Sequence, residues 1–264
     1  MEKSLEMLAK ESDIVLLDGS LFTLDQETRL GYHTSPFSLI LGAADRFHDL
    51  SSDRLYKQYA YIRDLKKCVA SNENIHTSVP LLLDYRRFLR HCSLKLSNFR
   101  TNSHGKKGKK EELLQKIIQT HEELYALLFS RSKQFGESTL IAEYMCNLQL
   151  HRRELFQGNT LERTSFADAS IVADACLLVQ NYTSVPIVTI DYDIAHICSH
   201  FGGLVKKRRV PEYIFRYIPR GVKGVAVYFP TDSWVDSFET IPLADFLGKK
   251  SSETDFSIRN AEHQ

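Results

Sequence analysis

The sequence lacks an excess of charge of either sign. Its 264 residues carry 34 Lys and Arg against 33 Asp and Glu, a formal net charge of +1. That balance excludes a globally basic binder of polyanions, so any partner must be recognised through local charge. No apolar run approaches the roughly 20 residues that span a bilayer, and no membrane is expected as a partner. The first thirteen residues hold Glu2, Glu6, Glu11 and Asp13 and no long apolar core, which argues against a signal peptide. Cys68, Cys92, Cys146, Cys176 and Cys198 are odd in number, scattered, and form no CxxC pair. Neither a disulfide framework nor a zinc site is expected, and a reduced, cytoplasmic setting is. There is no internal repeat and no low-complexity block.

What is present is an ordinary globular composition, 43% hydrophobic and 25% charged. Ile14 to Leu17 is a short apolar run that ends at Asp18-Gly19-Ser20 and reads as a buried strand emptying into a turn. Residues 52–69 keep helical spacing, and Asn72 to Asn74 break it. A second helix is expected from Leu81 to Leu89, with Pro80 in its first turn. Residues 98–110 read as a mobile loop. Helices are expected over 111–131 and 139–154, followed by a linker at 158–163. Residues 167–182 are apolar at helical spacing, and Val185 to Ile190 is a β-branched run ending at Asp191. A short helix from about Asp193 and a final strand over 225–229 complete the order. Strands separated by helices imply βαβ units, an α/β fold with a mostly parallel central sheet.

Acidic residues stand where such a sheet places ligands, outside the carboxyl ends of its strands. Asp18 ends the first strand. Asp191 ends the 185–190 strand, with Asp193 just beyond. Asp168 opens the helix before that strand, and Asp84 lies on the helix after Pro80. Any one of them alone is an ordinary turn former or helix cap. Together at one edge they repel each other unless a hard cation lies between them, which points to Mg²⁺ or Mn²⁺. Asp174 is six residues from Asp168, about 600° around the helix, and reads as a surface residue.

In this ordered set of segments the sequence resembles the PIN-domain family of metal-dependent nucleases. The segments are IVLLDGS at 14–20, IHTSVPLLLDYRRFL at 75–89, SFADASIVADACLL at 165–178 and VPIVTIDYDIA at 185–195. The last, with Thr-x-Asp-x-Asp closing a strand, is the most specific. The resemblance implies a three-layer α/β/α sandwich and an acidic pocket for Mg²⁺ or Mn²⁺. It also implies phosphodiester hydrolysis, most often of RNA. Carried over, the metal and water ligands are Asp18, Asp84, Asp168, Asp191 and Asp193, with Thr189 and Ser20 as hydroxyl supports. The family usually has Glu where Asp84 stands, and Glu143 is the alternative. The intervals between segments are long. The organisation expected is one PIN-like domain over 1–248, with helical insertions at about 30–72 and 92–160 and a polar, disordered tail at 249–264.

Three basic stretches offset the acids: Arg86, Arg87 and Arg90; Lys106, Lys107, Lys109 and Lys110; and Lys206, Lys207, Arg208 and Arg209. They read either as solvated surface or as the cationic flanks that hold phosphates beside an acidic pocket. Tyr85 and Tyr192 read as packing residues or as base-stacking rings. His196 and His200 share a helical face, but no Glu completes a zinc motif. LLDGSLFTLD also looks superficially like the opening of haloacid-dehalogenase-type phosphatases. That chemistry needs a nucleophilic carboxylate where Leu16 stands. The alternative outside enzymes is an inactive PIN-like scaffold that binds RNA or protein. Homo-oligomerisation and a protein regulator are left open.

Overall fold

The computed structural model describes residues 2–23, 52–102, 108–132, 136–147, 150–151, 161–162, 165–231 and 233–245. The expected tail at 249–264 and residues 30–51 of the first expected insertion lie outside them. The central sheet has the strand order β1-β8-β7-β6-β2-β3. Its strands are β1 (Lys3–Ser4), β2 (Val15–Leu17), β3 (Ile75–His76), β6 (Val185–Val188), β7 (Val225–Pro230) and β8 (Glu239–Pro242). β3, β2, β6 and β7 run parallel, while β8 and β1 are antiparallel additions at one edge. A separate pair, β4 (Leu150–His151) and β5 (Leu161–Glu162), is antiparallel.

β2 and β6 are buried at every position. Their near-continuous apolar character is what a parallel strand covered on both faces requires. Alternation along the strands sends side chains to opposite faces. Leu16, Val185 and Ile187 enter one core cluster, and Val15, Leu17 and Val188 enter the other. Pro186 pairs with Ala226 of β7, before the pairing of β6 with β2 begins at Ile187. Its missing N–H therefore costs the β2 ladder nothing.

The first cluster lies under the helices Gly136–Cys146, Phe166–Leu178, Tyr192–Lys206 and Glu212–Phe215. The second lies under Leu5–Glu11, Ser52–Ser71, Val79–Asn102 and Lys109–Arg131, joined by Trp234. The helices 52–71 and 109–131 fall within the stretches read as insertions. They supply Tyr61, Ile62, Leu65, Leu124 and Leu128 to the core. No helix among the described residues is long and apolar enough to cross a membrane. All five cysteines are free thiols.

Several sequence expectations need correction. The 139–154 helix ends at Cys146, and Leu150–His151 forms a strand with Leu161–Glu162, inside the expected linker. Residues 98–102 continue the 79–102 helix and are not loop. Strands of two residues, such as β1, β3, β4 and β5, are too short to show periodicity. Asp174 is not at the surface. The 166–178 helix is buried nearly all round, and the 136–146 helix packs along it. Asp174 thereby meets Ser138, and burial pushes its carboxyl up to about 7, against the Ser138 hydrogen bond. For Tyr85 and Tyr192 the packing reading holds: Tyr85 is core, with its hydroxyl 2.6 Å from His121 Nδ1. Tyr192 packs its ring against Phe229 at 5.1 Å.

Gly224 enters β7 with φ +102°, and a Cβ there would stand 2.7 Å from the Thr183 carbonyl oxygen. Its own carbonyl accepts the Val185 N–H at 2.9 Å, the first rung of the β6–β7 ladder. Gly224→Ala is expected to destabilise the fold by about 2 kcal/mol through strain at this φ alone. Urea unfolding at constant m-value checks it.

Candidate metal centre

The parallel strands end at one edge, and four aspartates gather there. Asp18 follows β2 and is 3% exposed. Its Oδ2 accepts a hydrogen bond from Thr189 Oγ1 at 2.9 Å, from the Ser20 N–H at 3.3 Å, and from the Ser20 hydroxyl. Burial raises its carboxyl above the usual range, and these hydrogen bonds pull it back. The Thr189 hydroxyl also accepts the Asp191 N–H at 2.8 Å. One hydroxyl thus ties the end of β2 to the end of β6. Asp18 N–H donates to the Val188 carbonyl at 3.0 Å, which sets the two strand ends level.

Asp191 is the N-cap of the 192–206 helix, and its Oδ1 accepts from Asp193 N–H at 2.8 Å. Asp168 sits in the first turn of the 166–178 helix. Ser165 caps that helix, accepting from Asp168 N–H at 3.1 Å and donating to Asp168 Oδ2 at 2.6 Å. Asp168, Asp191 and Asp193 each offer a carboxylate oxygen, and these oxygens lie within 4.8 Å of one another. Burial first, and then the charges of Asp18, Asp191 and Asp193, push the Asp168 carboxyl up to about 8, against the Ser165 hydrogen bond. Asp18 therefore lies close behind the group of three.

A buried brace supports this edge. The Trp234 indole N–H donates to the Tyr61 hydroxyl at 3.0 Å, which donates to the Leu21 carbonyl at 2.6 Å. Leu21 belongs to the 3-10 turn Gly19–Thr23 that follows Asp18. Sequence reasoning missed Tyr61, Trp234 and Ser165. Ser165 was findable, because Ser-x-x-Asp before an apolar run is a capping signature. The brace joins residues 173 positions apart and leaves no local signal.

Asp84 stands outside the group of three. Leu81, one turn before it, is the side chain a Cβ at Gly19 would meet at 3.3 Å. The Asp84 carboxylate, about half exposed, pairs with Arg87 at 2.9 Å. The alternative, Glu143, is exposed on the 136–146 helix. The thiol of Cys146 is pushed up by burial and then by Asp168 and Glu143, so this helix ends beside the acidic group. Among the described residues no group of His and Cys with ligand geometry occurs.

The basic stretches are placed less simply. Arg86, Arg87 and Arg90 are exposed along the helix of Asp84. Lys106 and Lys107 lie outside the described residues, while Lys109 and Lys110 open the 109–131 helix. Lys206 to Arg209 do not flank the acidic group. They sit at the far end of the helix that Asp191 caps, about 20 Å from Asp193 at 1.5 Å rise per residue.

The donor set is all oxygen, carried by carboxylates whose mutual repulsion a cation relieves. That suits a hard divalent ion and not a soft one. Compared with protein-family models, curated proteins and solved structures, the chain has no match.

Proposed function

We propose that the chain is a Mg²⁺- or Mn²⁺-dependent nuclease of PIN type that hydrolyses phosphodiester bonds, those of RNA above all. The observation that carries this reading is the meeting of Asp168, Asp191 and Asp193 within 4.8 Å at the carboxyl edge of the parallel strands. Carboxylates so placed favour a cation and disfavour a naked phosphate. Helices on both faces of the sheet suit the three-layer sandwich of that family.

In this reading Asp168, Asp191 and Asp193 hold the ion, with Asp18 close behind. Such an ion neutralises phosphate charge and lowers the pKa of water in its reach. Thr189 and Ser20 hold Asp18 in one orientation through their hydroxyls. Ser165 does the same for Asp168.

The test is calorimetry of the full chain with Mn²⁺, beside cleavage of labelled single-stranded RNA with Mn²⁺ or with EDTA. Binding of Mn²⁺ and cleavage that EDTA abolishes are expected. No Mn²⁺ binding and no cleavage of RNA or DNA overturns the proposal. RNA binding without either would leave the scaffold reading in its place.

A further inference from the structure

Residues 206–223 return from the helix 192–206 to the start of β7. They carry seven basic side chains and one acid, Glu212. Lys206, Lys207, Arg208, Arg209, Arg216 and Lys223 are exposed. Among the described residues none of the six is ion-paired to a carboxylate. The two ends of the segment are pressed together. A Cβ on Gly202 would meet Val222 Cγ2 at 2.6 Å, and one on Gly221 would meet Val205 Cγ1 at 2.6 Å. Lys206 to Arg209 and Lys223 therefore belong to one surface. The Arg220 N–H donates to Gln180 Oε1 at 3.1 Å, and its guanidinium reaches the Gln180 and Tyr182 carbonyls at 3.4 Å, pinning the return.

Two features set this surface apart from an ordinary solvated lysine run. The helix ends with Arg208 N–H on Val205 O and Arg209 N–H on Leu204 O, a Schellman closure. Arg208 fills its left-handed position at φ +51°, where glycine is the unstrained choice. An arginine is thus held at a cost, with its charge facing outward. Aromatic rings are interleaved with the charges. Tyr213 is 51% exposed, and the Arg216 guanidinium lies 4.6 Å from the centre of the Tyr217 ring.

We propose that the 206–223 surface is a second RNA-binding site, gripping single-stranded phosphates and stacking a base on Tyr213, at the sheet edge opposite the acidic group. Cationic side chains with an exposed ring are the pattern of single-strand recognition. The site rests on the nuclease reading only in the choice of RNA as the polyanion. A strand stacked at 3.4 Å per nucleotide covers the 20 Å between the two sites in about six nucleotides, so longer strands engage both.

The test is fluorescence anisotropy of the full chain with a labelled, unstructured 20-nucleotide RNA, in EDTA. Lys207→Glu with Arg209→Glu is expected to weaken binding at least tenfold. Arg208→Gly is expected to weaken it about threefold while raising the melting temperature by about 2 °C, because the strain is removed. A merely damaged fold would lower both. Equal RNA affinity for wild type and the folded Glu double variant overturns the site, whatever happens to cleavage. So does binding of phosphatidylserine vesicles in preference to RNA. Wild-type protein that binds RNA through these residues yet never cleaves it upholds the site and fails the nuclease reading alone.

Discussion

Asp191→Asn is expected to lower Mn²⁺-dependent RNA cleavage by about a hundredfold or more and to leave folding unchanged. Loss of a group that merely supports a metal ligand costs 10- to 100-fold, so loss of a ligand's charge belongs at or beyond that upper end. The fold is spared for a specific reason. Asp191 caps the 192–206 helix through Oδ1, and Asn is an equally good N-cap. Asp168→Asn is a second test of the same kind, since Ser165 still caps its helix. Asp18→Asn is a poorer probe than its position in the sequence suggests. The Asp18 carboxylate accepts from Ser20, Thr189 and the Gly19 backbone inside the core. An amide N–H₂ turned towards any of those donors leaves a buried polar clash. The sequence alone predicts clean loss of activity at both positions, whereas the hydrogen bonds separate them. Cleavage assays beside thermal unfolding check this, and an Asp191→Asn protein that cuts at the wild-type rate removes Asp191 from the site.

Asp174→Asn is expected to stabilise the protein strongly at pH 8 and hardly at all at pH 4. The Asp174 carboxyl stands at about 7 when folded, against 3.8 for the free group. The folded chain therefore holds this proton more tightly than the unfolded one. Below pH 4 both states are protonated and the group is neutral to folding. Between pH 4 and 7 the unfolded state releases its proton first, so stability falls as pH rises. Above pH 7 a buried charge is carried in full, a cost on the order of 4 kcal/mol. Asn cannot ionise and its carbonyl still accepts from Ser138. Urea unfolding of both proteins at pH 4 and pH 8 measures the difference. An equal gap at the two pH values would mean that folding does not raise the Asp174 carboxyl and that it ionises in the folded chain as readily as in the unfolded one.

The class of fold was visible in the sequence because parallel strands buried on both faces are continuous apolar runs. Val185 to Ile190 and Ile14 to Leu17 are such runs, and each stops at an acid. Asp18, Asp168, Asp191 and Asp193 could be picked out for the same reason, since strand ends and helix starts are local features. Asp174 could not. It stands on a helix that looks like a simple core helix, and only the 136–146 helix packing outside it decides that the acid is covered. The Thr189 link to Asp18 spans 171 positions, and no spacing rule anticipates it.

Local chemistry in the chain decides which residues are acidic, which strands are buried and where the helices begin. Tertiary structure decides which charges meet. Asp84 reads in the sequence as one more acid at this edge, yet it is not among the carboxylates whose oxygens meet within 4.8 Å. Lys206 to Arg209 follow Asp193 closely in sequence, yet an α-helix rises only 1.5 Å per residue along a straight axis. That rigid rod carries them to the other edge of the sheet, away from the acidic group.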